Sequence, residues 1–355
     1  MGDVYKLIPE HIRAKLGSKS KVCLVNGKEL FRRMRDERFM IMACNTRIKH
    51  AIPGIMKAAQ ELDALVAFEL AMSEGNVDGG YTGMPPGIFF ETLVDYAERT
   101  NFTKPFVIHG DHITIKDTSD KAIGKGRALI DAELEAGYTS YAIDASFNQL
   151  PDNVKITNDL AKKIVEAGLG LEVEVGEIKS VGSEGEITTV EEAQSFIEAL
   201  VDHDIHPNLL AINNGSKHGN YLPGEEVHID LQRTTDVHKA INKHGVDIAQ
   251  HGITGTPLHL MYKFVDCGIK KGNVGTQWQN IAHEHLPKDV MDRMKQWAKE
   301  QGKNIKEATK PFKAEIDAIP EVNRKAMEDH AYREAKDFFQ AFQAVGSASK
   351  LASKI

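Results

Sequence analysis

Eight short apolar runs rich in β-branched residues recur along this chain, separated by stretches with helical character. They fall at 39–45, 64–70, 106–112, 140–146, 170–176, 209–215, 246–252 and 268–275. Each has the length and content of a strand buried on both faces. Strand alternating with amphipathic helix implies a parallel sheet. Eight such units close into a (β/α)8 barrel, the TIM-barrel form of an α/β fold. That closure constrains function too, because it gathers the C-terminal ends of all eight strands at one face, where barrel active sites lie.

The barrel accounts for residues 1–280 with its catalytic face at those strand ends. Residues 281–355 read as a C-terminal helical extension, with helices over 287–301, 305–316 and 322–345, packing on the barrel or on a partner subunit. Within the barrel, 118–136 and 188–201 are amphipathic. Thr118-Ser-Asp marks the start of the first and Gly137 its stop. Two segments break the repeat. Residues 72–86, with Gly-Asn, Gly-Gly and Pro-Pro elements, read as a long loop. Residues 177–186, carrying Gly182 and Gly185, follow the fifth strand and read as a mobile lid over the site.

Composition narrows the partners. Lys and Arg total 44 against 51 Asp and Glu, a net charge of -7 with no basic block, so nucleic acid is not expected. Cys23, Cys44 and Cys267 are too few and too scattered for a thiolate metal motif, and fit a reducing compartment. The opening residues form neither a signal segment nor a membrane span. A cytoplasmic protein without a membrane partner is the expectation.

The eight runs stop in groups that bind metals or move protons. In order these are Asn45, Glu69, Asp111 with His112, Asp144, Glu172 with Glu174, Asn213 with Asn214, His251, and Asn273; His218 follows the sixth run by a few residues. Three imidazoles at converging ends, His112, His218 and His251, suit a catalytic Zn²⁺ with an open position for substrate. Nearby carboxylates can orient the ligands or offer an alternative metal position. The opposing consideration is that a histidine at a strand end is more often structural, and the chain has 15. His50, His203, His206, His228, His238, His244 and His259 read as ordinary helix or loop residues. Alternation turns His109 away from His112, so it reads as packing. Glu172 reads as a structural carboxylate. On residues alone, a metal centre and a set of structural histidines both stay open.

Four segments, His109-Gly-Asp-His112, Lys217-His-Gly-Asn-Tyr221, Gln250-His-Gly-Ile-Thr-Gly255 and Gly272-Asn-Val-Gly-Thr276, resemble the class II, zinc-dependent fructose-bisphosphate and tagatose-bisphosphate aldolases, in that family's order. Leu171-Glu-Val-Glu-Val-Gly176 and the Ile143-Asp144 strand end fit as well. The resemblance covers roughly 30–280 and, more loosely, the C-terminal helices.

The resemblance implies specific roles. His112, His218 and His251 would hold one catalytic Zn²⁺, with Glu174 and Asp144 lining an alternative metal position and room for a second divalent or monovalent cation. Asp111 would be the general acid/base, and Glu184 a catalytic acidic residue of the loop after the fifth strand. Asn45, Gly219, Gly252, Thr254, Asn273, Gly275 and Thr276 would bind a sugar phosphate, the glycines letting the backbone approach the anion. Arg324 would reach a neighbour's site in a homodimer or higher homo-oligomer. The implied reaction is reversible cleavage of a ketose 1,6-bisphosphate, with fructose 1,6-bisphosphate leading, to dihydroxyacetone phosphate and glyceraldehyde 3-phosphate.

The chain also departs from the family pattern. Ile253 and Thr254 stand where a small residue and a serine are usual, Leu222 where a lysine is usual, and Glu69 where a neutral polar residue is usual. The alternatives are a metal-dependent epimerase, which the extra carboxylate Glu69 favours, an aldolase for a differently phosphorylated or non-phosphorylated ketose or sugar acid, and a non-enzymatic barrel.

Overall fold

The computed structural model describes residues 3–178, 185–221 and 227–355. Glu184 and Leu222 therefore lie outside the described residues. All eight strands form: β1 Ile41–Asn45, β2 Val66–Ala71, β3 Phe106–Thr114, β4 Ser140–Asp144, β5 Gly170–Val175, β6 Leu209–Ile212, β7 Asp247–Gln250 and β8 Ile269–Val274. They pair in parallel in chain order, and β8 returns to β1 through pairs such as Ala43 with Asn273, closing the barrel. Almost every strand residue is buried, which is why the strands read as continuous apolar runs rather than as alternating ones.

Eight helices follow the eight strands: α1 Ile52–Leu62, α2 Pro86–Arg99, α3 Asp120–Ala136, α4 Leu150–Glu166, α5 Val190–Val201, α6 Leu231–Ile241, α7 Leu258–Phe264 and α8 Thr276–His285. Their ends sit where local chemistry places them. Ser119 caps α3 through the Ala122 amide, and α3 stops at Gly137, whose φ of 113° belongs to glycine. Thr189 and Glu192 form a reciprocal capping box on α5. Among the described residues no helix is long and apolar enough to cross a membrane.

Beyond α8 the chain is helical: α9 Lys288–Gln301, α10 Lys313–Asp317, α11 Glu321–Ala341 and α12 Ser347–Ala352. The expected single helix over 305–316 is instead a 3-10 turn, Ile305–Ala308, followed by α10. Pro311 lies between them and cannot donate the amide that a continuous helix needs. α11 lies along α1 so closely that a Cβ at Gly54 would sit 2.1 Å from the Glu328 carbonyl. The expected loop over 72–86 holds one helical turn, Met72–Gly75, pinned where the Ala71 amide donates to Glu74 Oε2 at 3.0 Å.

Candidate active site

Strand register sets the inward face. Paired residues of a parallel sheet face the same side, so Asn45, Glu69 and His109 form one inward set, and Asp111 continues it on β3. Gly110 faces out, where a Cβ would collide with the Glu133 carboxylate at 2.2 Å. Simple alternation would send His112 out as well. Instead its φ is 38°, and the β3–β4 register slips between Gly110 and Ile113. The bulge swings the His112 ring to the mouth, beside Asp111. A non-glycine residue held there costs roughly 1–3 kcal/mol and is kept where surrounding structure over-determines it.

The ligand nitrogens of His112, His218 and His251 all lie within 4.8 Å of one another. His251 Nε2 donates to Glu172 Oε1 at 2.9 Å, leaving Nδ1 free. His112 Nδ1 faces Glu174 at 3.1 Å and Asp144 at 3.5 Å, while its buried Nε2 has no partner. His112, Asp144 and Glu174 form a second group of metal-ligand spacing that shares one imidazole with the first. An orphaned buried nitrogen among three imidazoles fits a divalent cation, and the donor type suits zinc.

The charges agree with that fit. Burial works against a charged His112, but Asp111, Glu174 and Asp144 outweigh it and raise its pKa. Burial and then the charge on His112 lower His218 and His251. Burial and Asp144 raise Glu174 to about 7. The centre thus gathers more negative charge than its imidazoles offset, which favours a cation.

Asp111 is held at both oxygens. Asn45 Nδ2 donates at 2.9 Å and Asn273 Nδ2 at 3.0 Å. Burial alone would raise its pKa, but His112, Lys271 and His251 pull it well below the usual carboxylate range. Lys271 is a residue the sequence reading missed, although it shares the inward phase of Asn273. Fully buried, it donates to Glu172 Oε2 at 2.7 Å and to His109 Nε2 at 3.2 Å, with Glu69 at 3.3 Å. Burial opposes its charge, but Glu172 and Glu69 outweigh that and keep it an ammonium. Glu172 is therefore more than packing: it ties His251 to this buried cation. Glu69 is fully buried against Lys271 and does not line the cavity.

Three turns converge above the strands. At Gly252 φ is 68°, and a Cβ would meet the Lys217 carbonyl at 2.6 Å. The Thr254 hydroxyl accepts from the Gln277 amide at 3.1 Å, which caps the start of α8 beside Gly275 and Thr276. A cavity of about 1250 Å³ is lined by Asn45, Asp111, the three histidines, Asp144, Glu174, Gly219, Gly252, Thr254, Asn273, Gly275 and Thr276. Every expected site residue within the described stretches thus meets at one place except Arg324. That residue is half-exposed on the first turn of α11, paired with Glu321, and does not line this cavity. Arg47, Glu74, His283 and Lys306 do line it and were not foreseen. Arg47 and Glu74 form a pair at 2.7 Å across the β1 and β2 loops, far apart in sequence, so no local motif marks them.

Comparison with known proteins bears on the family and the fold. A family model described as fructose-bisphosphate aldolase class-II matches residues 25–334. The fructose-bisphosphate aldolase of Ureaplasma parvum is 28% identical over 275 residues, covering 75% of this chain and 85% of that protein. That of Streptococcus pneumoniae is 25% identical over 262 residues, covering 73% and 80%. Among solved structures, the Campylobacter jejuni fructose-bisphosphate aldolase superposes with a TM-score of 0.67 at 16% identity, covering 92% of this chain and 97% of that one. The YdjI aldolase of Escherichia coli K12 superposes with a TM-score of 0.64 at 18% identity, covering 90% and 98%. At such identities the structural likeness speaks for the fold.

Proposed function

Because the chain belongs to the class II fructose-bisphosphate aldolase family, we propose that it is a metal-dependent aldehyde-lyase that cleaves a phosphorylated ketose reversibly to dihydroxyacetone phosphate and an aldehyde. The observation that carries this reading is the pairing of a three-imidazole centre, with His112 Nε2 unpartnered, and a carboxylate fixed at both oxygens beside it.

His112, His218 and His251 would hold Zn²⁺, with Asp144 and Glu174 as a second position. When bound, the ion supplies Lewis-acid stabilisation of the negative charge that develops on the ketose oxygens. Asp111 takes the proton from the hydroxyl on the carbon that becomes the aldehyde, and returns it in the synthetic direction. Asn45 and Asn273 aim that carboxylate, and the unpartnered Asn273 Oδ1 is left to accept from a substrate hydroxyl. Backbone amides at Gly219, Gly252 and Gly275, with the Thr254 and Thr276 hydroxyls, receive the phosphate. Glu172, held charged by Lys271, fixes the tautomer of His251. Glu184, outside the described residues, would serve as the catalytic acidic residue that the family resemblance implies. The active form is a homo-oligomer in which Arg324 serves a neighbouring site.

Fructose 1,6-bisphosphate and tagatose 1,6-bisphosphate are the first substrates to test. The epimerase alternative loses its main support, because Glu69 is sealed beneath the site rather than exposed to substrate. A coupled assay for dihydroxyacetone phosphate, run on zinc-loaded and chelated protein, tests the reading. Release that vanishes on chelation and returns with zinc is expected. Full activity after chelation, or a lysine adduct trapped by borohydride, would overturn it.

A further inference from the structure

The cavity has an arm that the residues assigned above do not use. It leaves Asp111 along the ends of β1 and β2 and reaches the 3-10 turn Ile305–Ala308 of the C-terminal extension. A chain of contacts defines its wall. Asn45 Nδ2, which holds Asp111, also approaches Glu74 Oε2 at 3.2 Å. Glu74 Oε1 accepts from Arg47 Nε at 2.7 Å and from the Tyr81 hydroxyl at 3.1 Å. Lys306 Nζ stands 5.4 Å over the Tyr81 ring.

The charges of this arm do not cancel. Arg47, with its side chain only 12% exposed, is matched by Glu74. Lys303 is matched by Glu307 at 3.7 Å. Lys306 has no carboxylate within ion-pair distance among the described residues, and it is held beside the Arg47 guanidinium, whose charge, after burial, lowers its pKa. His283 adds no charge near neutral pH, since burial and then Arg47 lower it to about 4. One positive charge is left over. The Arg47 Nη groups, with no acceptor among the described residues, remain for a ligand.

We propose that this arm is a binding subsite for a singly charged anion, a carboxylate or a sulfonate, at the end of the substrate that departs as the aldehyde. The proposal rests on the aldolase reading, because it is Asp111, at the aldehyde-forming carbon, that marks which fragment enters the arm. One negative charge completes the count. A phosphate dianion would leave a negative charge unmatched beside Glu74 in a partly buried channel, which is unfavourable. The Arg47 fork suits a planar two-oxygen group, and Lys306 supplies a point charge.

Two measurements test it. In the synthetic direction, dihydroxyacetone phosphate is offered with tartronate semialdehyde, sulfolactaldehyde, glyceraldehyde 3-phosphate or glyceraldehyde. The carboxylate or the sulfonate acceptor should exceed both others in kcat/KM by at least about tenfold, and the better of the two identifies the group. Calorimetry with the unreactive probes glycerate, 2,3-dihydroxypropanesulfonate and glycerol 3-phosphate, with dihydroxyacetone phosphate present in excess, tests binding alone. The singly charged probes should bind more tightly than glycerol 3-phosphate, and Lys306→Met should abolish the preference while Lys306→Arg keeps it. Lys299→Met, which removes an equal charge from the outer face of α9, should not change it. Equal or tighter binding of glycerol 3-phosphate, or a preference indifferent to Lys306→Met, would overturn the subsite. Failure to condense any aldehyde would count against the aldolase reading alone, because the binding comparison decides the subsite without turnover.

Discussion

At Asp111 the structure resolves what a strand pattern leaves open. Alternation puts His109 and Asp111 in one phase of β3, and both face inward, so His109, expected only as packing, instead meets Lys271 inside the barrel; the same phase covers Asn45 and Asn273, which hold the Asp111 carboxylate. It fails for His112, because a local left-handed residue is invisible to a period-two pattern. It was also available for Lys271 and went unread, since a lysine in a buried strand looks misplaced until its two carboxylates are seen. Asp111→Asn should keep the fold and the metal content and lose about 10²–10⁴-fold in turnover; near-normal turnover would return Asp111 to a structural role. His283 offers a pH test. Its pKa falls from the usual 6.5 to about 4 in the folded protein. The unfolded chain therefore takes up a proton that the fold refuses, and this contribution to stability is present above pH 6.5 and lost as pH falls towards 4. At about 1.4 kcal/mol per unit of displacement, the loss is a few kcal/mol at most. Urea denaturation of wild type and His283→Gln at several pH values should show wild type losing ground to the variant across that window. A constant difference would mean that His283 titrates normally.

Among elements, the eight strands and the ends of α3 were legible because their signals are local: apolar runs, Ser119 and Gly137. The capping box of Thr189 and Glu192 on α5 is equally local and was not read. The turn Met72–Gly75 was not, because Glu74, besides closing on the Ala71 amide, is secured by Arg47 and Asn45 from another loop. The place of α11 was hidden for a similar reason. It is set by the absence of a side chain at Gly54, where the Glu328 carbonyl would lie 2.1 Å from a Cβ and the Tyr332 amide 2.8 Å. Both are backbone atoms of a long helix and cannot step aside singly. Gly54→Ala should therefore push α11 off α1 and destabilise the protein by roughly 1–3 kcal/mol, although alanine is the better helix former. A thermal melt showing equal or greater stability would mean that the helix pair slides freely.

Across the whole molecule, the candidate metal centre joins two separate parts of the barrel: β3 supplies His112, and the paired strands β6 and β7 supply His218, from the loop after β6, and His251, just past the end of β7. A cation held by all three binds the folded chain and not the unfolded one, so it should stabilise the entire barrel. At a free metal concentration about a thousand times the dissociation constant the gain is about 4 kcal/mol. Chelated protein should accordingly melt at a lower temperature, and zinc should restore the melt with one equivalent bound at this centre. His218→Ala should erase most of that response even though its own ring is partly exposed. Loading should also release protons, because without metal the carboxylates around His112 favour its charged form. Apparent zinc affinity should therefore weaken as pH falls, and a pH-stat titration should record base consumed as zinc is added. A melt indifferent to chelation, with no proton released, would mean that the three imidazoles are held by the barrel alone and that the ion is not part of the fold.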